Sequence, residues 1–351
     1  MKKVIIAFIL LNLILFSGLV SADSAEEEKT VFQEGKELLE IGFYDTGVDK
    51  IKEAIRLEPL SDEFRHSIGG LTYFPSEIPI QYLGELARYY YEVLMSQEKR
   101  AKLGVWIKKE DSKLLIYYTF ENTPIYEQGI RKGDIITAID GQEMNDSEDV
   151  SNYLKDKKPG AIVVASVTRD GVEKIVEAEL VEGFINNHYP AWAVYRLIEY
   201  GMWASKAGYP TLTRQAAQKI RDITTNYPAD VKYPFLDDGA VILEALATAR
   251  EGNYDNAYKI ALQYGKFGYH KDYIIYDEQC FAPLYYNRKK LAYLLDAKES
   301  ELPNPEIENG KQETYVDFAG NIIKPGDEIP TLDSEKKTDN SSKEVKGTVL
   351  E

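Results

Sequence analysis

The sequence predicts a multidomain α+β protein in which a small, partly open β-barrel with helices stands between α-helical stretches. Three observations carry this expectation. Between residues 101 and 182, short runs rich in Ile, Val, Tyr and Thr alternate with Gly-Asp and Asp-Gly pairs, the pattern of strands joined by tight turns. On either side, apolar residues recur at helical spacing and the breaks fall at Gly or Pro. At 351 residues the chain is long enough for two or three domains, each with its own core.

The chain opens with Met1-Lys2-Lys3, an apolar run from Val4 to Val20, and small residues at Val20-Ser21-Ala22 before Asp23. That is the pattern of a secretory signal peptide over residues 1–22. An uncleaved membrane anchor stays open as the alternative, because a spanning helix needs only slightly more apolar length. Export to the periplasm or the extracellular medium follows, with membrane contact only through such an anchor. The single cysteine, Cys280, allows no internal disulfide, so packing must supply the stability. Its Tyr- and Phe-rich helical surroundings mark it as a small buried residue rather than a nucleophile. A net charge of −16 disfavours nucleic acid and anionic lipid as partners and favours solubility or cationic partners.

The first folded stretch, residues 26–100, is helical. Gly42 ends one helix, Tyr44 packs in the turn, Ala54 allows close helix approach and Pro59 stops the next helix. Together with Gly35, Leu38 and Ile51 these positions resemble one tetratricopeptide repeat, a helix–turn–helix unit of about 34 residues. Gly47, where the repeat usually carries Ala, departs from the pattern. A looser pair follows at 64–72 and 80–96, with Tyr82, Leu86, Tyr89, Tyr90 and Val93 on the apolar side of the second helix.

In the central stretch, residues 114–118, 134–139, 162–167 and 174–180 are the expected strands, with turns at Gly133-Asp134 and Asp140-Gly141. Residues 147–155 are a helix capped by Ser147, and Val150 and Leu154 fall four apart on one face. That face makes one wall of a groove, opposite the strand that begins at Leu103. The blocks Leu103-Gly104-Val105-Trp106-Ile107, Asn122 to Gly141 and Val167 to Gly171 resemble a bacterial-type PDZ domain. This is the peptide-binding module attached to tail-specific and high-temperature-requirement periplasmic proteases.

The resemblance implies that backbone N–H groups of the Leu103–Trp106 loop hold a peptide's terminal carboxylate while the peptide joins the sheet as one more strand. Gly104 would let an anion approach closely, and Arg100 and Lys102 would place positive charge behind it. The implied peptide-binding set is Leu103, Gly104, Val105, Trp106, Ile107, Val150, Leu154, Arg100 and Lys102. Two placements suit the bulky Trp106: narrowing the terminal pocket or packing into the core. A PDZ fold also serves elsewhere as a spacer with its groove blocked, so fold alone does not establish function.

The C-terminal stretch, residues 189–298, returns to helical spacing. Helices are expected at 191–208 and 212–227, joined by Gly208-Tyr209-Pro210, and at 240–251 and 254–264, joined by Gly252-Asn253. Ala245, Gly252, Tyr254, Ala257 and Ala261 again fall at tetratricopeptide spacing, and a last helix at 278–297 would cap the stack. Tyrosine is dense here, out of 26 in the chain, and suits helix packing ahead of a partner surface. Residues 301–351 form a largely disordered tail by composition, apart from a small hairpin over 314–323.

The chain lacks the parts of the hydrolases it resembles. The space ahead of the PDZ-like stretch is helical and holds one histidine, His66, rather than a trypsin-like domain. The space behind it turns helical, where a tail-specific protease has its Ser and Lys dyad. There is no Gly-x-Ser-x-Gly elbow, no His-Glu-x-x-His zinc helix and no phosphate-cradling loop. His66, His188 and His270 stand apart, without partners at metal-ligand spacing. The sequence therefore predicts no enzyme, no metal and no cofactor. It predicts an exported scaffold or adaptor that binds protein or peptide C-termini or extended segments. The alternative is a regulatory or substrate-delivery subunit of an envelope serine protease.

Overall fold

A computed structural model describes residues 24–61, 78–227, 230, 235–253, 256–257, 259–260 and 312–329. The expected signal peptide, the helices at 64–72 and 278–297, most of that at 254–264, His66, His270, Cys280 and most of the tail lie outside these residues.

Helices α1 (Ser24–Glu40) and α2 (Tyr44–Leu57) form the first hairpin. Gly42 ends α1 at φ +88°, with its N–H donating to Leu39 O at 3.1 Å and the Phe43 N–H to Leu38 O at 2.9 Å. That is the paired C-terminal cap that a left-handed glycine permits. A Cβ on Gly47 would lie 2.8 Å from Leu39 Cγ and one on Gly35 2.7 Å from Ile51 Cγ1, so Gly47, the departure from the repeat pattern, is one of two glycines at which the helices touch closely. Helix α3 (Ile80–Met95) packs beside α2 and leads into the short strand β1 (Lys99–Lys102).

Residues 105–179 then build an antiparallel sheet in the order β2-β3-β4-β6-β7, formed by β2 (Val105–Glu110), β3 (Lys113–Thr119), β4 (Ile135–Ile139), β6 (Ile162–Arg169) and β7 (Val172–Glu179). Helix α4 (Pro124–Glu127) lies between β3 and β4; β5 (Gln142–Glu143) pairs with β4; α5 (Ser147–Leu154) lies between β5 and β6. Alternation on β6 buries Val163, Ala165 and Val167, which join Leu114, Ile116, Ile136, Val150 and Leu154 in one core. The cap of α5 is Asp146, not Ser147. Asp146 Oδ1 accepts the Asp149 N–H at 2.9 Å, and Asp149 Oδ2 accepts the Asp146 N–H at 3.3 Å. A reciprocal carboxylate box satisfies two N–H groups where a lone serine satisfies one.

At the Gly133-Asp134 turn the Asp134 carboxylate is buried and takes both arms of the Arg169 fork and the Arg131 N–H. Burial works to raise this carboxyl, but Arg169 and the Arg131 N–H outweigh it and hold it below its ordinary value.

Strand β8 (Val181–Phe184) returns alongside β1, with Lys99 opposite Phe184 and Lys102 opposite Val181. Helices α6 (His188–Lys206), α7 (Pro210–Asn226) and α8 (Phe235–Arg250) follow. The two helical stretches expected as separate domains share a single core, in which Leu86, Tyr90 and Leu94 of α3 meet Leu197, Tyr200 and Ala204 of α6. The PDZ-like sheet is thus inserted into one helical body, which it leaves and re-enters through the β1–β8 ladder.

The hairpin expected over residues 314–323 forms and is built into that body. Strands β9 (Tyr315–Val316) and β10 (Ile322–Ile323) form the small hairpin, and Tyr315, Val316, Phe318 and Ile323 are buried. The Tyr315 hydroxyl donates to Tyr200 O at 2.7 Å, the Tyr200 hydroxyl donates to Val316 O at 2.6 Å, and the Tyr315 ring fills the space above Gly84. The sequence marked the hairpin but not its docking, because its four buried apolar residues are covered by helices distant in sequence. Among the described residues no helix is long and apolar enough to cross a membrane.

Two outcomes follow. Tyr315→Ala should cost about 3–5 kcal/mol, measured by urea denaturation, because it empties a buried aromatic site; an unchanged midpoint would contradict the docked hairpin. A carboxyl held low in the native state adds stability above the unfolded carboxylate range and loses it as pH falls through its native pKa. Asp134→Asn should therefore flatten the acid limb of the stability curve below about pH 4; a limb identical to the parent's would contradict the assignment.

Candidate functional site

Among the described residues strand β2 pairs only with β3, so its other edge is open there beside α5. A cleft of about 250 Å³ lies between them. Leu103, Gly104, Val105, Trp106 and Ile107 form one wall, and Ser147, Val150, Ser151 and Leu154 the other. The four α5 positions fall at i, i+3, i+4 and i+7, one face of a helix. Arg100 and Lys102 of β1 also line the cleft, so all nine residues singled out from the sequence meet there. Ile185 and Asn187, between β8 and α6, line it as well. Helical periodicity from Val150 would have found Ser147 and Ser151. No sequence signal points to Ile185 and Asn187, which arrive through the β1–β8 pairing.

The loop before β2 is held by its own backbone. Gly104 has φ +83°, and a Cβ there would stand 2.9 Å from Thr123 Cβ, so only glycine fits. The Gly104 carbonyl accepts the Phe120 N–H at 3.0 Å, on the β3 side. Because a trans peptide points its C=O and N–H in opposite directions, the Val105 N–H is directed to the open edge. This is the geometry a backbone donor needs to meet an incoming strand or carboxylate.

Trp106 lies opposite Tyr118, at a bulge where β3 carries one extra residue. The bulge brings Tyr117 and Tyr118 both to 5.7 Å from the Trp106 ring, and Phe120 stands edge-on at 5.2 Å. Trp106 is half-buried and belongs to this aromatic group rather than to the sheet's apolar core.

Lys102 departs from the role expected of it. Its ammonium pairs with Asp230, whose side chain is fully buried and whose Oδ2 accepts the Phe184 N–H at 2.8 Å. Burial pushes the Lys102 ammonium down and the Asp230 carboxyl up, each only partly offset by the other's charge. The charge on Lys102 is committed to the junction, which leaves Arg100 as the cation facing the cleft; no ion pair of Arg100 is found among the described residues. Among the described residues no group of three or more His, Cys, Asp or Glu is arranged to hold a metal ion.

Removing one partner of a buried pair strands the other's charge. Asp230→Ala should cost about 3 kcal/mol in thermal or urea unfolding, and Asp230→Asn, which keeps an acceptor for Phe184, distinctly less. Equal losses would mean that the Phe184 contact does not count.

A family model described as a PDZ domain matches residues 101–180. Similar solved structures include an aminopeptidase N family protein from Idiomarina loihiensis, 24% identical over 24% of this chain and 14% of that one, TM-score 0.22. They also include the HtrA-type protease AlgW with a decapeptide, 23% identical over 27% of this chain and 34% of that one, TM-score 0.23. A substituted form of AlgW with a decapeptide is 23% identical over 27% of this chain and 32% of that one, TM-score 0.23. The chain thus spans about a third or less of the length of these proteins. No curated protein matches it. Residues 101–180 are a PDZ domain, a peptide-interaction module, with helices on both sides.

Proposed function

We propose that the chain is an exported, non-enzymatic adaptor that captures peptide C-termini or extended segments in the β2–α5 cleft. Its helical body, tetratricopeptide-like in the α1–α2 hairpin, positions or binds a second partner. One observation carries the reading: the open β2 edge begins at a glycine-held turn that aims a backbone donor toward a cleft lined by both apolar and cationic side chains. A peptide laid antiparallel to β2 would exchange main-chain hydrogen bonds with that edge and turn alternate side chains toward Val150 and Leu154. Its terminal carboxylate would meet the Val105 N–H with Arg100 close by. Export rests on the sequence of residues 1–22. The absence of a protease domain motif before or after the PDZ domain supports an adaptor over an enzyme.

The test is binding of a panel of decapeptides, varied at the last four positions, to the full chain by isothermal titration, with every hit remade as its C-terminal amide. Hydrogen bonds to a charged group predict a loss of about 10- to 100-fold on amidation. Acid and amide forms of equal affinity would exclude carboxylate capture, and no binding from the whole panel would exclude the cleft as a peptide site. Peptides recovered unaltered after incubation support the adaptor role; cleavage overturns it.

A further inference from the structure

The cleft is not made by the PDZ-matched residues alone. Ile185 lies beyond residue 180, in the link by which the chain returns to the helical body, and its side chain is 44% exposed while lining the cleft. A large apolar side chain left in contact with water gains by being covered. Its backbone is well anchored. The Ile185 N–H donates to Glu98 O at 3.0 Å, and the preceding Phe184 is buried against Tyr227, 4.9 Å between ring centres, with its N–H on Asp230. The following turn is closed by Asn186, whose Oδ1 accepts the His188 N–H at 2.9 Å. Ile185 therefore stands at a fixed position rather than on a free loop.

Arg100 pairs with Gly183 in the β1–β8 ladder, and Ile185 follows directly on the end of β8, its N–H still bonded to the outgoing segment at Glu98. Arg100 and Ile185 both line the cleft. The β1 side of the cleft, which leads to the Gly104 loop, is therefore lined by a cation and an apolar side chain, a combination that suits a terminal carboxylate joined to an apolar last residue.

We infer that Ile185 is a specificity-determining residue, which covers the ligand's C-terminal side chain and makes the cleft select large apolar last residues over small ones. Ile185 has this role only if the cleft captures C-termini, as proposed above. The consequence is that selectivity is set partly by the helical body, through the β8–α6 link, and not by the PDZ domain by itself.

The tightest free-acid peptide from the panel, remade to end in Ala, Val, Leu or Phe, tests this on the full chain. The parent protein should bind the Leu and Phe forms more tightly than the Ala form. Ile185→Ala should weaken the Leu and Phe forms by about 5- to 10-fold and leave the Ala form unchanged, because, of the three carbons removed, the ligand covers an area worth about one or two methyl groups. Ile185→Leu should restore the preference. A parental preference that persists in Ile185→Ala overturns the inference, as does equal weakening of all four peptides, which marks a general structural effect. If the parent protein binds none of the panel, the capture reading itself fails and this role falls with it; the parent titration thus separates the two failures.

Discussion

The structure depends on one constraint: a chain that interrupts a helical core with a sheet domain must leave and return at a single place. The β1–β8 ladder meets that constraint in four residue pairs, and Asp230 secures it by holding Lys102 on the outgoing strand and the Phe184 N–H on the returning one. Gly183 belongs to the same device, since a Cβ there would press on Lys102 at 2.6 Å and on Asp230 at 2.8 Å. A buried ion pair adds little net stability, but it is strongly directional, and its loss strands a charge. Its structural value here is register: it fixes how the inserted domain meets the body, and with that the segment from which Ile185 and Asn187 line the cleft.

The helical body is completed by a second long-range contact of the same kind. The 315–323 hairpin seats Tyr315 over Gly84 and exchanges hydrogen bonds with Tyr200, so residues from three distant parts of the chain close one core. Gly84 is small for this reason. Such closure works against independent movement of α3 and α6, the two helices from which the inserted domain departs and to which it returns.

These long-range contacts mark the boundary of what was legible in the sequence. The strands, the turns at Gly133-Asp134 and Asp140-Gly141, the α5 face and the Gly104 turn are local features, encoded by residue type and spacing, and they emerge from the sequence at nearly their observed positions. The helices at 80–96, 191–208, 212–227 and 240–251 likewise follow from apolar periodicity. What periodicity cannot encode is which helix meets which. The sharing of one core by the two helical stretches, the docking of the tail hairpin, the pairing of Lys102 with Asp230 and the arrival of Ile185 in the cleft all join residues far apart in sequence. Lys102 shows the same limit: its place in the cleft was legible, but its partner, more than a hundred positions away, was not.

The two edges of the inserted sheet show why only one of them suits strand addition. An open edge invites pairing with any extended chain unless charge or cover prevents it. Strand β7, at one edge, carries exposed Glu173, Lys174, Glu177 and Glu179 around exposed Val172 and Ile175, and this charge opposes indiscriminate pairing. Strand β2, at the other, is charged only in its second half, where Lys108, Lys109 and Glu110 are exposed and Lys108 pairs with Glu110 at 2.8 Å. Its first half, Val105 to Ile107, is apolar and half-buried beside α5. An added strand therefore finds an apolar, sheltered segment only next to the Gly104 turn, and meets charge as it extends away. Charge thus guards β2 away from the Gly104 turn and leaves the apolar segment beside that turn as the stretch where, on the proposed reading, a ligand strand would add.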